Sequence, residues 1–401
     1  MPAANTSPLV VVVGAGPAGA AAAHATASRG IRTILLERAR HPREKVCGEG
    51  CTPRAVRNLE RMGLLGSLES QGAQVSHAFL VSPGGIELHT PLPARVHGGK
   101  ALVVPRAALD ARLVDRAVRS GAELREQVRV ESVQSHDRGI RVLCRGHEPI
   151  DADVVIGCDG MPSVVRKSLG AAAFSPRQHA FAMRGIFENV DLRHPEALTI
   201  VWDRRVLPAY GWVFPLPGGR ANVGIGLRTD KLREHDAGLP AIFDRFLDSP
   251  RLRTMLRHAR INGRAKGHGL PMTSRWGRVV FDRAILAGDA AGFVNPLTGE
   301  GIEYALESGE LAGEIAAAAA SRGDFSVAGL LPYARMCKQR FGAVLRLNGW
   351  LRWAFTVPWL LDRMFRAGLR SRAVRDDIAA IALGGDQARL TWRVASAALL
   401  G

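Results

Sequence analysis

Three glycines set out the first chemistry. Gly14, Gly16 and Gly19 follow a β-branched run, Leu9–Val13, and open an Ala-rich stretch that runs to about Arg29. In Gly14-Ala15-Gly16-Pro17-Ala18-Gly19 the first glycine permits a tight turn. The second lets the backbone approach a pyrophosphate, and the third lets the helix lie close to the strand. The helix start then offers unpaired N–H groups and about half a positive charge to phosphates. Gly30 ends the helix, and residues 33–37 read as the next strand. Glu37, followed by Arg38, stands 23 residues after Gly14, where a carboxylate can accept both hydroxyls of a ribose. A GxGxxG between strand and helix, with an acid at that distance, predicts a dinucleotide site.

Later segments choose the dinucleotide. Residues 154–158 read as a buried strand ending in Asp159-Gly160, and residues 284–287 as another ending in Gly288-Asp289-Ala290-Ala291. A helix then begins near Gly299-Glu300-Gly301-Ile302. Singly, each Asp reads as a turn cap. Together, in this order after GxGxxG, they predict FAD, with Asp289 as acceptor for a ribityl or pyrophosphate hydroxyl. Residues 299–302 would present backbone N–H groups to the N1 and O2 edge of a reduced flavin. Arg106 opens a helix with Leu109 and Leu113 on one face. It reads either as a solvated first-turn residue or as a cofactor contact. Val130, in an expected strand at 128–133, offers its backbone to the adenine.

These groups need an α/β scaffold to position them. The sequence predicts a Rossmann-like FAD-binding domain in three pieces, residues 1–73, 101–173 and 270–330. Residues 74–100 and 174–269 have alternating apolar positions and Pro-Gly turns, and read as an interleaved antiparallel β substrate domain. Within it, Pro215-Leu216-Pro217-Gly218-Gly219 predicts a hairpin turn between residues 212–214 and 221–226. Residues 331–401 read as helical.

Composition bounds the rest. A chain of 401 residues, 47% hydrophobic and 23% charged, is globular and long enough for two or three domains. It has no apolar run of about 20 residues, so no spanning helix is expected. Its N-terminus lacks the basic leader of an export signal, so a cytoplasmic protein is expected. Lys and Arg exceed Asp and Glu by 54 to 37, but the excess is mostly scattered Arg with no nucleic-acid motif. Nucleic acid is therefore not an expected partner. Cys47 and Cys51 are spaced C-x3-C without two further ligands close by, so no metal site is expected in the chain. Residues 331–401 carry twelve basic and four acidic residues, with Trp350, Trp353, Trp359 and Trp392 among them. That mixture suits either a segment lying on an anionic membrane surface or a packed helical subdomain.

Four stretches resemble the geranylgeranyl reductase family, FAD-dependent enzymes that saturate isoprenoid double bonds. The nearest likeness within it is to the bacterial menaquinone reductases. The stretches are Gly14–Gly19 with Glu37-Arg38; Lys45-Val46-Cys47-Gly48-Glu49-Gly50 with Thr52-Pro53-Arg54-Ala55; Tyr210-Gly211-Trp212-Val213-Phe214-Pro215; and residues 288–291 through Asn295-Pro296-Leu297 to Gly299-Glu300-Gly301-Ile302. The second and third are the specific ones. The resemblance implies a p-hydroxybenzoate-hydroxylase-like architecture, Cys47 and Gly48 near the flavin ring, and Tyr210 and Trp212 lining a cavity for a lipid chain. Val46 stands where many members have Pro.

An isolated trisubstituted alkene is a poor hydride acceptor, because hydride arriving first leaves an unstabilised carbanion. The expected reaction brings hydride from reduced flavin N5 together with a proton, with positive charge developing at the tertiary carbon. Tyr210, Trp212 and Phe214, at i, i+2 and i+4 on one strand, share a face and suit an electron-rich wall. Cys47 is the expected proton donor, with Tyr210 or a bound water as rivals. The competing readings are a flavin-dependent monooxygenase, hydroxylase or halogenase of a small aromatic or secondary-metabolite substrate, and a prenyl-binding escort without redox chemistry. NAD(P)H and ferredoxin both remain open as electron donors, as does the oligomeric state.

Overall fold

The structure is a computed structural model and describes residues 7–382. A six-stranded sheet forms its first core, in the order Val280–Phe281, Ala284–Leu286, Val154–Gly157, Leu9–Val13, Arg32–Leu36 and Glu123–Arg125. All pairs are parallel except the first. The Leu9–Val13 strand is buried on both faces, as a central parallel strand must be. The Pro17–Ala27 helix covers this sheet, and the Ile302–Arg322 helix packs along it.

A second, seven-stranded sheet runs Arg260–Leu270, Ala180–Glu188, Arg220–Arg228, Tyr210–Leu216, Ala197–Val201, His77–Val81 and Glu87–Pro91. The Tyr210–Leu216 and Arg220–Arg228 strands form the expected hairpin, with Gly218 and Gly219 at positive φ in its turn. The sheet is not wholly antiparallel, because Ala197–Val201 pairs in parallel with His77–Val81. The chain must leave for the first core between these two strands, and a parallel pair needs such a crossover.

Other expectations need correcting. The strand near residue 130 is Val130–His136, and it lies in a separate three-stranded antiparallel sheet with Gly139–Cys144 and Ile150–Ala152. Residues 174–269 also contain three short helices, Thr229–Arg233, Leu239–Leu247 and Pro250–Met255. At five to nine residues each, they show too few turns for a readable 3.6-residue period.

The C-terminal helices do not form one unit. Val327–Leu351 packs on the first core, where Tyr333 donates to the Leu286 carbonyl at 2.8 Å. Pro358–Arg370 and Arg372–Ala382 pack on the second sheet, placing Leu361, Phe365 and Ile378 against Leu80, Leu88 and Ile200. Among the described residues no helix is long and apolar enough to cross a membrane. Trp392 lies outside the described residues.

Candidate active site

One cavity of about 650 Å³ runs between the two sheets. At one end it is lined by Gly14, Gly16, Glu37, Arg38 and Val130. Its middle is lined by Cys47, Gly48, Arg106, Asp159, Gly160 and Asp289, and farther on by Pro296, Gly299, Gly301 and Ile302. An apolar arm beyond carries Leu198, Ile200, Trp202, Tyr210 and Phe355.

The glycine-rich end is built as its spacing predicts. Gly14 has φ +97°, and a Cβ there would lie 2.6 Å from the Cys158 carbonyl oxygen. A Cβ on Gly19 would lie 1.7 Å from the Gly14 oxygen, so only glycine lets the helix begin this close to the strand. Gly16 is the N-cap of that helix, with Pro17 at its first position. Gly16 faces open space instead. The nearest atoms to its virtual Cβ are the guanidinium nitrogens of Arg43 at 3.9 Å and Arg106 at 4.0 Å. Two cations and a helix N-terminus therefore surround the place a pyrophosphate needs.

Arg106 is not a solvated first-turn residue. It is buried and clamps Asp110 with two hydrogen bonds of 2.8 Å. Burial opposes its charge, yet Asp110 holds its pKa above the ordinary arginine value. Arg43 bridges Asp110 at 2.9 Å and Glu37 at 3.2 Å. The sequence reading missed Arg43 because its shorter contact is to Asp110, 67 residues away in the chain. Glu37 sits just past its strand and accepts the Ala15 N–H at 3.0 Å. Asp159, which also lines the cavity, has protein partners as well. Asp159 accepts Ser163 Oγ at 2.6 Å and the N–H groups of Val164 and Val165 at 2.6 and 3.1 Å. Both its oxygens are thus engaged at the start of the Val164–Ser168 helix, and Asp159 acts as a cap. Asp289 is half-buried in the cavity wall, and desolvation there raises its pKa against the pull of Lys45 and Arg106.

The loop at residues 45–50 is held from three sides. Glu49 accepts the Arg106 N–H at 3.1 Å and the Asn222 amide at 3.1 Å. Asn222 also donates to the Cys47 carbonyl at 2.8 Å and accepts the Trp212 indole N–H at 2.9 Å. Asn222 thereby fixes the loop and the aromatic wall together, and no motif pointed to it. Tyr210, Trp212 and Phe214 do share one face of their strand, and successive ring centroids lie 6.3 Å apart. Phe214 packs against Gly48 and Gly50, where a Cβ would lie 3.4 and 3.2 Å from its ring. Burial pushes the Cys47 thiol pKa up, so it stays protonated at neutral pH. Tyr210 donates to the Thr298 carbonyl at 2.5 Å.

Asn295 shapes the opposite wall. Its side-chain oxygen accepts the N–H groups of Leu297 and Thr298 at 3.0 and 3.3 Å. It also accepts the Asn348 amide at 3.1 Å, from the Val327–Leu351 helix. The loop delivers Gly299 at φ +71° and starts the Ile302–Arg322 helix. Glu300 and Glu303 at this start are both driven to high pKa, by burial first and then by neighbouring carboxylates. Raised in this way, the pair carries less negative charge at the helix N-terminus than two ordinary carboxylates would, which favours an electron-rich flavin edge there.

Lys45 and His268 form a further pair, with Lys45 Nζ 2.6 Å from His268 Nε2. Burial lowers Lys45 to about 8, against Asp289. Burial and then Lys45 lower His268 to about 4. His268 is thus neutral and accepts from the ammonium.

Glycine turn, paired arginines, carboxylate and a second helix N-terminus along one cavity fit an FAD molecule end to end. The FAD binding domain family matches residues 8–348. A menaquinone reductase of Mycolicibacterium smegmatis is 35% identical over 328 residues, covering 78% of this chain and 76% of its own. A digeranylgeranylglycerophospholipid reductase of Methanopyrus kandleri is 30% identical, covering 96% of both chains. The crystal structure of a geranylgeranyl bacteriochlorophyll reductase-like protein from Thermoplasma acidophilum superposes with a TM-score of 0.83 at 23% identity, over 97% of this chain and 96% of that one. A flavin-dependent brominase shares the fold at 18% identity and a TM-score of 0.73, covering 94% of this chain and 93% of its own. With the cavity, the family match and the near-full-length likeness in agreement, this chain is an FAD-dependent oxidoreductase and belongs to the geranylgeranyl reductase family.

Proposed function

We propose that the enzyme saturates isolated double bonds of an isoprenoid chain, with the menaquinone tail as the first substrate to test. The apolar arm carries this reading, because it opens from the same cavity that holds the cofactor motifs. Its walls include the apolar side chains of Leu198, Ile200, Trp202 and Phe355. Each isoprene unit entering such an arm gains roughly 3–4 kcal/mol before losses, at about 0.8 kcal/mol per CH2. The relatives named as menaquinone and digeranylgeranylglycerophospholipid reductases support the same substrate class.

Bound, reduced FAD supplies the hydride. The chain's own residues hold the alkene and deliver the proton. Tyr210, Trp212 and Phe214 form a wall whose π faces favour a developing cation by about 0.5–2 kcal/mol per contact. Cys47 is the better proton donor, since its thiol is protonated and flanks the cavity, whereas the Tyr210 proton is engaged with Thr298. The Glu49 N–H on the Cys47 sulfur and the Asn222 amide on the Cys47 carbonyl hold this residue in the cavity wall.

The test is anaerobic single turnover of the reduced holoenzyme with menaquinone, read by mass spectrometry. A product heavier by two hydrogens is expected. Cys47→Ala should slow the step by about 100-fold or more while flavin content stays full. A full-rate Cys47→Ala enzyme removes the thiol from the mechanism. An unreduced tail, with oxygen instead consumed in hydroxylating an aromatic compound, replaces the reductase reading.

A substrate of this class lives in a bilayer, and the cavity wall includes Arg352, Trp353 and Thr356. Around them Trp350, Trp353 and Trp359 are 63%, 51% and 62% exposed. This segment supports docking of the cavity mouth on an anionic membrane surface. The protein should sediment with phosphatidylglycerol vesicles at low salt. Replacing all three Trp by Ala should weaken partitioning by about tenfold or more. Equal sedimentation of the triple variant would assign the surface elsewhere.

A further inference from the structure

A second cluster of ligating groups lies on the far face of the seven-stranded sheet. In the antiparallel pairing Phe79 sits opposite His89, and His77 opposite Pro91. His77, Phe79 and His89 therefore share a face, with the two histidines diagonal to each other. His77 registers with Ala197 on the parallel neighbour, and Phe79 and Ala197 belong to the apolar cluster on that side. Leu198 and Ile200 point the other way, into the cavity. The loop entering the Ala197–Val201 strand brings in Glu196 and His194.

The result is a compact donor set. One ligand atom each from His77, His89 and Glu196 lies within 4.8 Å of the others. His89 Nε2 is 3.0 Å and His194 Nδ1 is 3.6 Å from Glu196 Oε1. The imidazoles stack, with centroids 4.9 Å apart for His77 and His89 and 4.0 Å for His89 and His194. The Ser76 hydroxyl is 2.9 Å from His77 Nδ1, which leaves Nε2 for coordination and fixes the ring as outer-shell partners do. The nearby cations Arg193 and Arg251 are both paired with Glu87.

We propose that His77, His89 and Glu196 form a site for one divalent transition-metal ion, with His194 as fourth ligand. Imidazole nitrogen with one carboxylate selects zinc among common ions, and disfavours calcium and magnesium. Tetrahedral zinc with bonds of about 2.0–2.1 Å needs donor atoms roughly 3.3–3.5 Å apart, so the wider separations must close and the 3.0 Å His89–Glu196 contact must open slightly, adjustments that side-chain rotations at this surface supply. The ion would tie the Glu87–Pro91 edge strand to the loop ahead of Ala197, two segments about 100 residues apart in the chain. A staple at this place protects an otherwise open sheet edge. The site is separate from the redox cavity, so its proposed role is structural.

The test uses full-length, FAD-loaded protein stripped with a chelator and titrated with cobalt, then zinc. One equivalent of cobalt with tetrahedral d–d absorption, displaced by zinc, is expected. Zinc should raise the melting temperature of the wild type. His89→Ala and the near-isosteric Glu196→Gln should each weaken binding by about 100-fold or more and abolish that rise. Flavin content and turnover should remain at wild-type level in both, which also reports that they fold. Sub-stoichiometric binding, or binding as tight in Glu196→Gln as in the wild type, overturns the site. In that case Glu196 is only an ion-pair partner of the histidines.

Discussion

Gly309→Ala should destabilise the protein by about 3 kcal/mol and release its flavin, although alanine is the better helix former by about 1 kcal/mol. The reason is the contact between the Ile302–Arg322 and Pro17–Ala27 helices. A Cβ on Gly309 would lie 2.1 Å from the Ala18 carbonyl oxygen, and one on Gly313 would lie 2.4 Å from that of Ala22. Neither obstacle is a side chain that can swing away. The helices would have to separate by more than about 1 Å, and well-packed cores resist that. Both helix starts line the cavity and would hold the cofactor, so separating them would change the span it must bridge. Thermal melting and the flavin-to-protein ratio after gel filtration measure the effect. A variant more stable than wild type with a full complement of flavin would show that this helix pair yields freely.

Asp110→Ala should cost the apoprotein about 3–5 kcal/mol, the range for removing one partner of a buried ion pair. Asp110 is fully buried and neutralises both Arg43 and Arg106. Without it, two guanidinium groups remain near Gly16, and among the described residues Arg43 keeps Glu37 as its carboxylate partner. A bound pyrophosphate supplies the missing negative charge. The loss should therefore be smaller for the holoprotein at saturating FAD, and denaturation with and without FAD separates the two. Equal losses in both states would mean that these arginines do not serve the phosphates.

The parts of the site written in local spacing were legible from the chain alone. Gly14, Gly16 and Gly19 occupy the turn, the open cradle and the close approach their positions imply, because each role is set within a few residues. Tyr210, Trp212 and Phe214 fall on one face for the same reason, a strand's two-residue period. Groups whose role depends on a distant partner were not legible. Arg43 matters because Asp110 faces it, and Asn222 because it meets Cys47 and Trp212 across two elements. Asp159 carries a second role that its position did not announce: besides lining the cavity, its carboxylate accepts from Ser163 and Val164 at the start of the next short helix. The histidines and Glu196 of the outer sheet face span about 120 positions, so only the sheet register reveals them as neighbours.

The Asn348 to Asn295 hydrogen bond has a mechanical consequence. Asn348 lies two positions before Trp350, at the outer tip of its helix, and Asn295 braces the turn leading to Gly299. A push on the tip is therefore transmitted to the turn through a rigid rod and a single amide. If seating the tip on lipid tightens that turn, coenzyme affinity must rise, and by reciprocity the loaded enzyme must grip lipid more firmly than the empty one.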